Sequence, residues 1–228
     1  MFAGCSGCGK TTLAKWIGDE YEMGFYSGSM SDLIESTKEI PHSDMLGRDK
    51  DILYKEDYQL LNLRNKLFKN RYCFVTDRSY LDSAAYFIYK QSKSIPSCEI
   101  EQFLGNCSAL IANQCDLLVF IDFVPDLVNK WVTEDNNKRI TNNYFQIQIS
   151  SLMNATLRLM GYETLYQMDH VKKKVTGNIL KRLLGNHIEY LRYGDEFGRI
   201  RSIYGNTDVL IIREPNLELR KHLLRSIL

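Results

Sequence analysis

The chain has 228 residues, a net charge of +1, and 44% hydrophobic against 25% charged residues, which suits a soluble globular protein with one sizeable core, or a core plus a small appendage. No apolar run approaches a membrane span and no signal peptide is visible ahead of the first motif, so membrane-embedded and secreted classes are set aside. Six cysteines at irregular spacings read as free thiols of a cytoplasmic protein, not a disulfide framework.

Residues Gly4 to Thr11 read G-C-S-G-C-G-K-T and fill the phosphate-loop pattern G-x-x-x-x-G-K-[ST] at every fixed position. Gly4, Gly7 and Gly9 allow backbone turns closed to other residues, so that successive N–H groups converge on an anion. Cys5, Ser6 and Cys8 complete the loop, Lys10 brings a point charge to the β- and γ-phosphates, and Thr11 offers a hydroxyl to Mg²⁺, with Thr12 beside it. The pattern implies binding of ATP with Mg²⁺; the competing reading is a Gly-rich turn that matches by accident. Phe2-Ala3 suits the end of a strand, and Leu13, Ala14 and Ile17 suit an amphipathic helix whose N-terminus faces the phosphates. Only three residues precede Gly4, so either this strand is short or the true start lies upstream. Cys5 and Cys8 are spaced C-x-x-C and are read as small loop residues rather than a metal or redox pair.

A helix is expected from Thr11 to Tyr21, a short strand at Gly24 to Tyr26, a short helix at Met30 to Lys38, and a polar loop from Pro41 to Asp51. Apolar residues at Tyr58, Leu60, Leu61, Leu63, Leu67 and Phe68 recur at helical spacing. Tyr72 to Thr76 reads as a buried parallel strand that delivers Asp77, Arg78 and Ser79 to the edge where open α/β sheets bind ligands. A carboxylate there can order the shell of Mg²⁺ or take a proton, and Arg78 can hold an anion; the alternative is a helix cap beside a surface arginine.

The phosphate loop followed some 65 residues later by V-T-D-R-S-x-L-D-x-x-A-Y (Val75 to Tyr86) resembles the P-loop nucleoside and nucleotide kinases. The thymidylate kinase group has Asp-Arg-Tyr at this place and the deoxynucleoside kinases Glu-Arg-Ser; the run looks closest to such kinases of the sort found in bacteriophage genomes. The resemblance covers about residues 1–184. It implies a catalytic or metal role for Asp77 and an acceptor contact for Arg78, with Arg48, Lys50 and Tyr54 as further candidates for substrate contact.

Further along, helices are expected at Tyr80 to Lys90 and Glu99 to Gln114, and an apolar strand at Asp116 to Phe123. Asp122 at its end has the look of a Walker-B carboxylate and competes with Asp77 for the metal. The polar stretch around 133–142 sits where small kinases of the resembled group carry a lid, which makes Lys138 a candidate phosphate contact and Arg139 a candidate catalytic cation. A helix follows from Tyr144 to Met160, a fifth strand at Glu163 to Met168, and a helix from Val171 to Leu184. Residues 185–228 form a C-terminal extension with a possible strand at Val209 to Ile212 and a last helix, packed on the core near the acceptor site or at a homodimer contact. From Val171 onward there are 12 Lys and Arg against 6 Asp and Glu, a basic tail read either as a nucleic-acid footprint or as solvated helix faces.

The expected fold is thus α/β, a P-loop NTPase-type three-layer sandwich with a five-stranded parallel sheet over residues 1–184, plus the extension. The expected activity is ATP-dependent transfer of the γ-phosphoryl group to a small acceptor, a deoxynucleoside monophosphate or nucleoside. Two rivals stand beside it: a kinase acting on a hydroxyl of a modified base such as 5-hydroxymethyluracil in phage DNA, and an NTP-hydrolysing switch without an acceptor, which would rely on Asp122.

Overall fold

The computed structural model describes residues 1–29, 32–33, 50–123, 143–160, 188–192, 207–212, 216–225 and 228, and the structural statements concern these. In chain order they form β1 (Phe2–Gly4), α1 (Lys10–Glu20), β2 (Gly24–Tyr26), α2 (Lys50–Phe68), β3 (Phe74–Thr76), α3 (Tyr80–Gln91), α4 (Ser97–Gln114), β4 (Leu117–Ile121), α5 (Asn143–Leu159), β5 (Ile188–Arg192), β6 (Asp208–Ile212) and α6 (Leu217–Arg225).

β4 is apolar along its whole length because both faces of the sheet are covered, and Leu118, Phe120 and Ile121 are fully buried. β1 pairs with it in parallel on one side, Phe2 opposite Val119 and Gly4 opposite Ile121. β6 pairs in parallel on the other side, from Leu117 opposite Asp208 to Ile121 opposite Ile212. β5 closes that side antiparallel to β6, giving the order β1-β4-β6-β5. β2 and β3 form a separate parallel ladder, Gly24 opposite Phe74.

The expected single five-stranded parallel sheet is therefore corrected. One sheet holds three parallel strands and one antiparallel strand, and two further parallel strands stand in a ladder of their own. β1, β2 and β3 have three residues each, too few to build a long ladder, and what spans the two sheets is α1, which packs on all three strands. Gly18 allows that close approach: a Cβ there would stand 3.1 Å from the Met23 carbonyl oxygen and 3.5 Å from a Val75 methyl.

Residues 208–212, which the sequence sets within the extension, run as an interior strand between β4 and β5, with Val209 to Ile212 fully buried. The Thr207 hydroxyl donates to the Cys115 carbonyl at 2.7 Å and fixes the strand's start against the end of α4. The strand expected at Glu163 to Met168, the helix expected over 171–184 and the lid around 133–142 lie outside the described residues.

α3 packs between α4 and α5. Its start is a capping box: Ser79 accepts from the first-turn backbone while the Asp82 carboxylate accepts from the Ser79 N–H at 3.0 Å. Phe87 of α3 stacks on Phe103 of α4 with centroids 3.8 Å apart. No described helix is long and apolar enough to cross a membrane.

If β6 is core and not appendage, Leu210→Ala should cost about 2–5 kcal/mol, the ordinary range for a buried Leu→Ala change. Denaturant unfolding of Leu210→Ala beside Leu118→Ala checks this; a loss at Leu210 below about 1 kcal/mol would show a strand that merely leans on the fold.

Candidate functional site

The phosphate loop turns between β1 and α1 through three positive φ angles, 145° at Gly4, 79° at Gly7 and 88° at Gly9. At Gly4 the space is closed as well as the torsion, since a Cβ would meet the Ile121 carbonyl oxygen at 2.5 Å. Gly9 stands at the N-cap of α1 without a side-chain cap, which leaves the helix's first N–H groups for an anion. Lys10 is 5% exposed and folds back over the loop, its Nζ donating to the carbonyls of Gly4 at 2.7 Å and Cys5 at 2.6 Å.

Asp77, at the C-terminal end of β3, is buried and joins two segments. Its Oδ2 accepts from the Thr11 hydroxyl at 2.6 Å and its Oδ1 from the Gly28 N–H at 3.1 Å. The motif's metal-ligating hydroxyl and the carboxylate from the next strand thus meet, a donor set of hard oxygens suited to Mg²⁺ when phosphate oxygens complete it. Asp122 lies at the end of β4 and is held differently: Oδ1 accepts from the Phe123 N–H at 2.9 Å and contacts the Ser150 hydroxyl of α5.

Beyond Asp77 the chain opens a pocket of about 180 Å³ between α2, α3 and α4, with Asp57, Leu60, Arg64, Arg78, Ser83 and Tyr86 in its wall. Arg64 is buried; its Nη2 donates to the Gly28 carbonyl at 2.8 Å, its Nη1 to the Ser79 carbonyl at 3.4 Å, and it contacts the Ser83 hydroxyl. Gly28 therefore ties Asp77 to Arg64, one through its N–H and the other through its carbonyl. Arg78 donates to Asp82 at 3.0 Å, and Lys90 pairs with Asp57. Burial pulls the Arg64 guanidinium below its ordinary range, partly offset by Asp82, and pushes the Asp57 carboxyl up, partly offset by Lys90. Two buried atoms of this wall, Asp57 Oδ2 and Arg64 Nε, have no hydrogen-bond partner among the described residues, one an acceptor and the other a donor.

Gly4 to Thr12, Asp77 and Arg78 lie together at one end of the strands, Asp77 joined to Thr11 and Arg78 next to it in the chain. Asp82 and Ser79 serve as the helix cap, with Arg78 bound to the cap's carboxylate. Tyr54 packs against Tyr58 and Phe87. Lys138, Arg139 and Arg48 lie outside the described residues. Sequence reasoning missed Gly28, Asp57 and Arg64. The signal for two of them was present: Asp57 and Arg64 share the helical stripe of Leu60, Leu61 and Phe68, and charges on a core-facing stripe ask for a purpose.

Cys5 and Cys8 are buried free thiols. The hydrogen bond from Cys5 brings the Cys8 thiol down to about 6 against the cost of burial, with the cations of Lys10 and Arg220 helping. The same bond, with burial, pushes Cys5 well up. The Lys10 ammonium stands 3.7 Å from the Cys8 sulfur.

A family model described as AAA domain matches residues 1–170 of the chain. No curated protein matches it.

Phosphate entering the loop opposes the Cys8 thiolate and raises that thiol's pKa, so binding takes up a proton, and ATP affinity should fall as pH rises above about 6. Calorimetry in buffers of different ionisation enthalpy should show the uptake at pH 7, and Cys8→Ser should abolish it. At Gly28 a Cβ would stand 2.8 Å from the Arg78 Cβ and 3.2 Å from the Thr76 hydroxyl. Gly28→Ala should therefore destabilise by about 1–3 kcal/mol, the range for overpacking, and spread Asp77 from Arg64; thermal melts and activity together check it.

Proposed function

The chain belongs to the AAA domain family, whose members bind nucleotide on the phosphate loop, and from that premise we propose that it is an ATP-dependent phosphotransferase acting on a small nucleotide-type acceptor. The observation that carries this reading is the continuity from Thr11 through Asp77 and Gly28 to Arg64, which links the phosphate loop to a second pocket. A nucleotide hydrolase needs a place for water; a pocket with its own cations, aromatic wall and unmatched polar atoms suits a second substrate.

In this reading the loop amides and Lys10 hold the β- and γ-phosphates, and Lys10 exchanges its bonds to the Gly4 and Cys5 carbonyls for phosphate oxygens. Thr11 and Asp77 would hold Mg²⁺, which neutralises charge on the phosphates during transfer. Arg78, on the residue after Asp77, faces the acceptor, and Arg64 fixes Gly28 and the pocket's inner wall. Lys138 and Arg139 are proposed to supply further charge from a lid. The pocket is smaller than the roughly 300–1,000 Å³ of a drug-sized site. That size favours a single base over a duplex. The acceptor that fits is a deoxynucleoside monophosphate or nucleoside.

Incubation with γ-labelled ATP, Mg²⁺ and panels of nucleosides, monophosphates and base-modified DNA should place label on a free nucleotide or nucleoside. Label appearing only as inorganic phosphate would leave a hydrolase, and label on DNA would move the acceptor to a polymer. Asp77→Asn should lower transfer about 100-fold or more, and Asp122→Asn less than about tenfold.

A further inference from the structure

Arg220 is among the largest fully buried side chains of the molecule, at 1% exposed, and it belongs to α6, some two hundred residues from the loop it touches. Its Nη1 donates to the Cys8 carbonyl at 2.6 Å. The same nitrogen would stand 3.4 Å from a Cβ on Gly9. The charge is felt in the loop, where it favours the Cys8 thiolate. A guanidinium removed from water against a loop built to hold polyphosphate needs an explanation beyond packing.

Peptide geometry gives one. The Cys8–Gly9 peptide is planar and trans, so its carbonyl and the Gly9 N–H point in opposite directions. With the carbonyl held by Arg220, the Gly9 N–H is turned away from α6, and Gly9 is the N-cap whose helix offers unpaired donors to an anion. α6 is itself firmly seated. Asn216 caps its start, accepting from the N–H groups of Glu218 at 2.9 Å and Leu219 at 3.3 Å. Leu223 and Leu224 are fully buried, and Arg225 makes a two-pronged pair with Glu20 of α1 at 2.8 and 3.2 Å while lying over the Trp16 ring. α6 thus grips both ends of the first turn-and-helix unit: the loop through Arg220 and the helix through Arg225.

We propose that Arg220 is a positioning residue for nucleotide binding: α6 sets the orientation of the phosphate loop's amides, and occupation of the loop and docking of α6 strengthen one another. The proposal rests on nucleotide binding at the loop and not on the identity of any acceptor. By linkage, whatever α6 contributes to nucleotide affinity, bound nucleotide returns to α6.

The test measures equilibrium binding of the β,γ-imido analogue of ATP with Mg²⁺, and of tripolyphosphate, to the full chain and to Arg220→Gln, Arg220→Lys and Arg225→Gln. Thermal unfolding is followed for each variant. Arg220→Gln should weaken both ligands by a similar factor of about tenfold or more, because the loss falls on the phosphates. Arg220→Lys, which keeps the charge but not the planar fork, should lie between. Arg225→Gln, which loosens α6 at an exposed pair away from the loop, should weaken both ligands much less than Arg220→Gln does. Should Arg220→Gln fail to fold, hydrogen exchange on the unaltered chain decides: the ATP analogue should slow exchange of residues 217–225. Equal affinity in a folded Arg220→Gln, or exchange in 217–225 untouched by a bound analogue, overturns the proposal and leaves the nucleotide site standing. Failure of the unaltered chain to bind either ligand overturns both.

Discussion

The whole site hangs on one buried carboxylate. Asp77 takes a hydroxyl from the start of α1 and an N–H from the loop after β2, and in doing so it joins segments that no ladder joins. β1 and β3 lie in different sheets here, so the backbone pairing that usually sets the distance between a phosphate loop and the neighbouring strand is absent among the described residues. α1 lies across both sheets and supplies the apolar glue, while Asp77 supplies direction. A hydrogen bond to a charged acceptor is worth about 1.5–3 kcal/mol, and two of them on one buried carboxylate outweigh any single contact along these three-residue strands.

Around that carboxylate the charges are arranged in pairs that alternate in sign: Arg78 with Asp82, Lys90 with Asp57, and Arg64 among carbonyls and a hydroxyl. The phosphate loop is different. Lys10 and Arg220 flank it, donating to main-chain carbonyls, with the Cys8 sulfur near Lys10. The loop therefore gathers two cations beside its turning backbone, whereas the neighbouring pocket sets cations against carboxylates within its own wall. Under the function proposed above, the loop serves the polyphosphate and the pocket the acceptor.

Much of this was readable in the chain itself. The loop's glycines, Lys10 and Thr11 carry a spacing with few other uses, and the helix start at Tyr80 follows from Ser79 and Asp82, while the next helix begins at Ser97, two residues ahead of the expected Glu99. Thr11 and Asp77 could each be assigned to the metal from the sequence, but their direct hydrogen bond across 66 residues depends on how α1 crosses β3. Gly28's double service as donor and acceptor belongs to the tertiary fold. The sheet was misjudged because periodicity identifies strands without saying which of them pair. Arg220 sits at helical spacing before Leu223 and Leu224, which marks its face as inward, yet nothing local says that the wall it meets is the Cys8 carbonyl.

The interior place of β6 has a consequence for how the molecule is made. A ribosome delivers β1, the loop and β4 long before residues 208–212, so the central slot of the sheet stays vacant through most of synthesis. Pairing that waits on such distant partners is slow, since loop closure must be paid before the contacts form. β4 therefore keeps one ladder edge open until residues 208–212 emerge to pair with it.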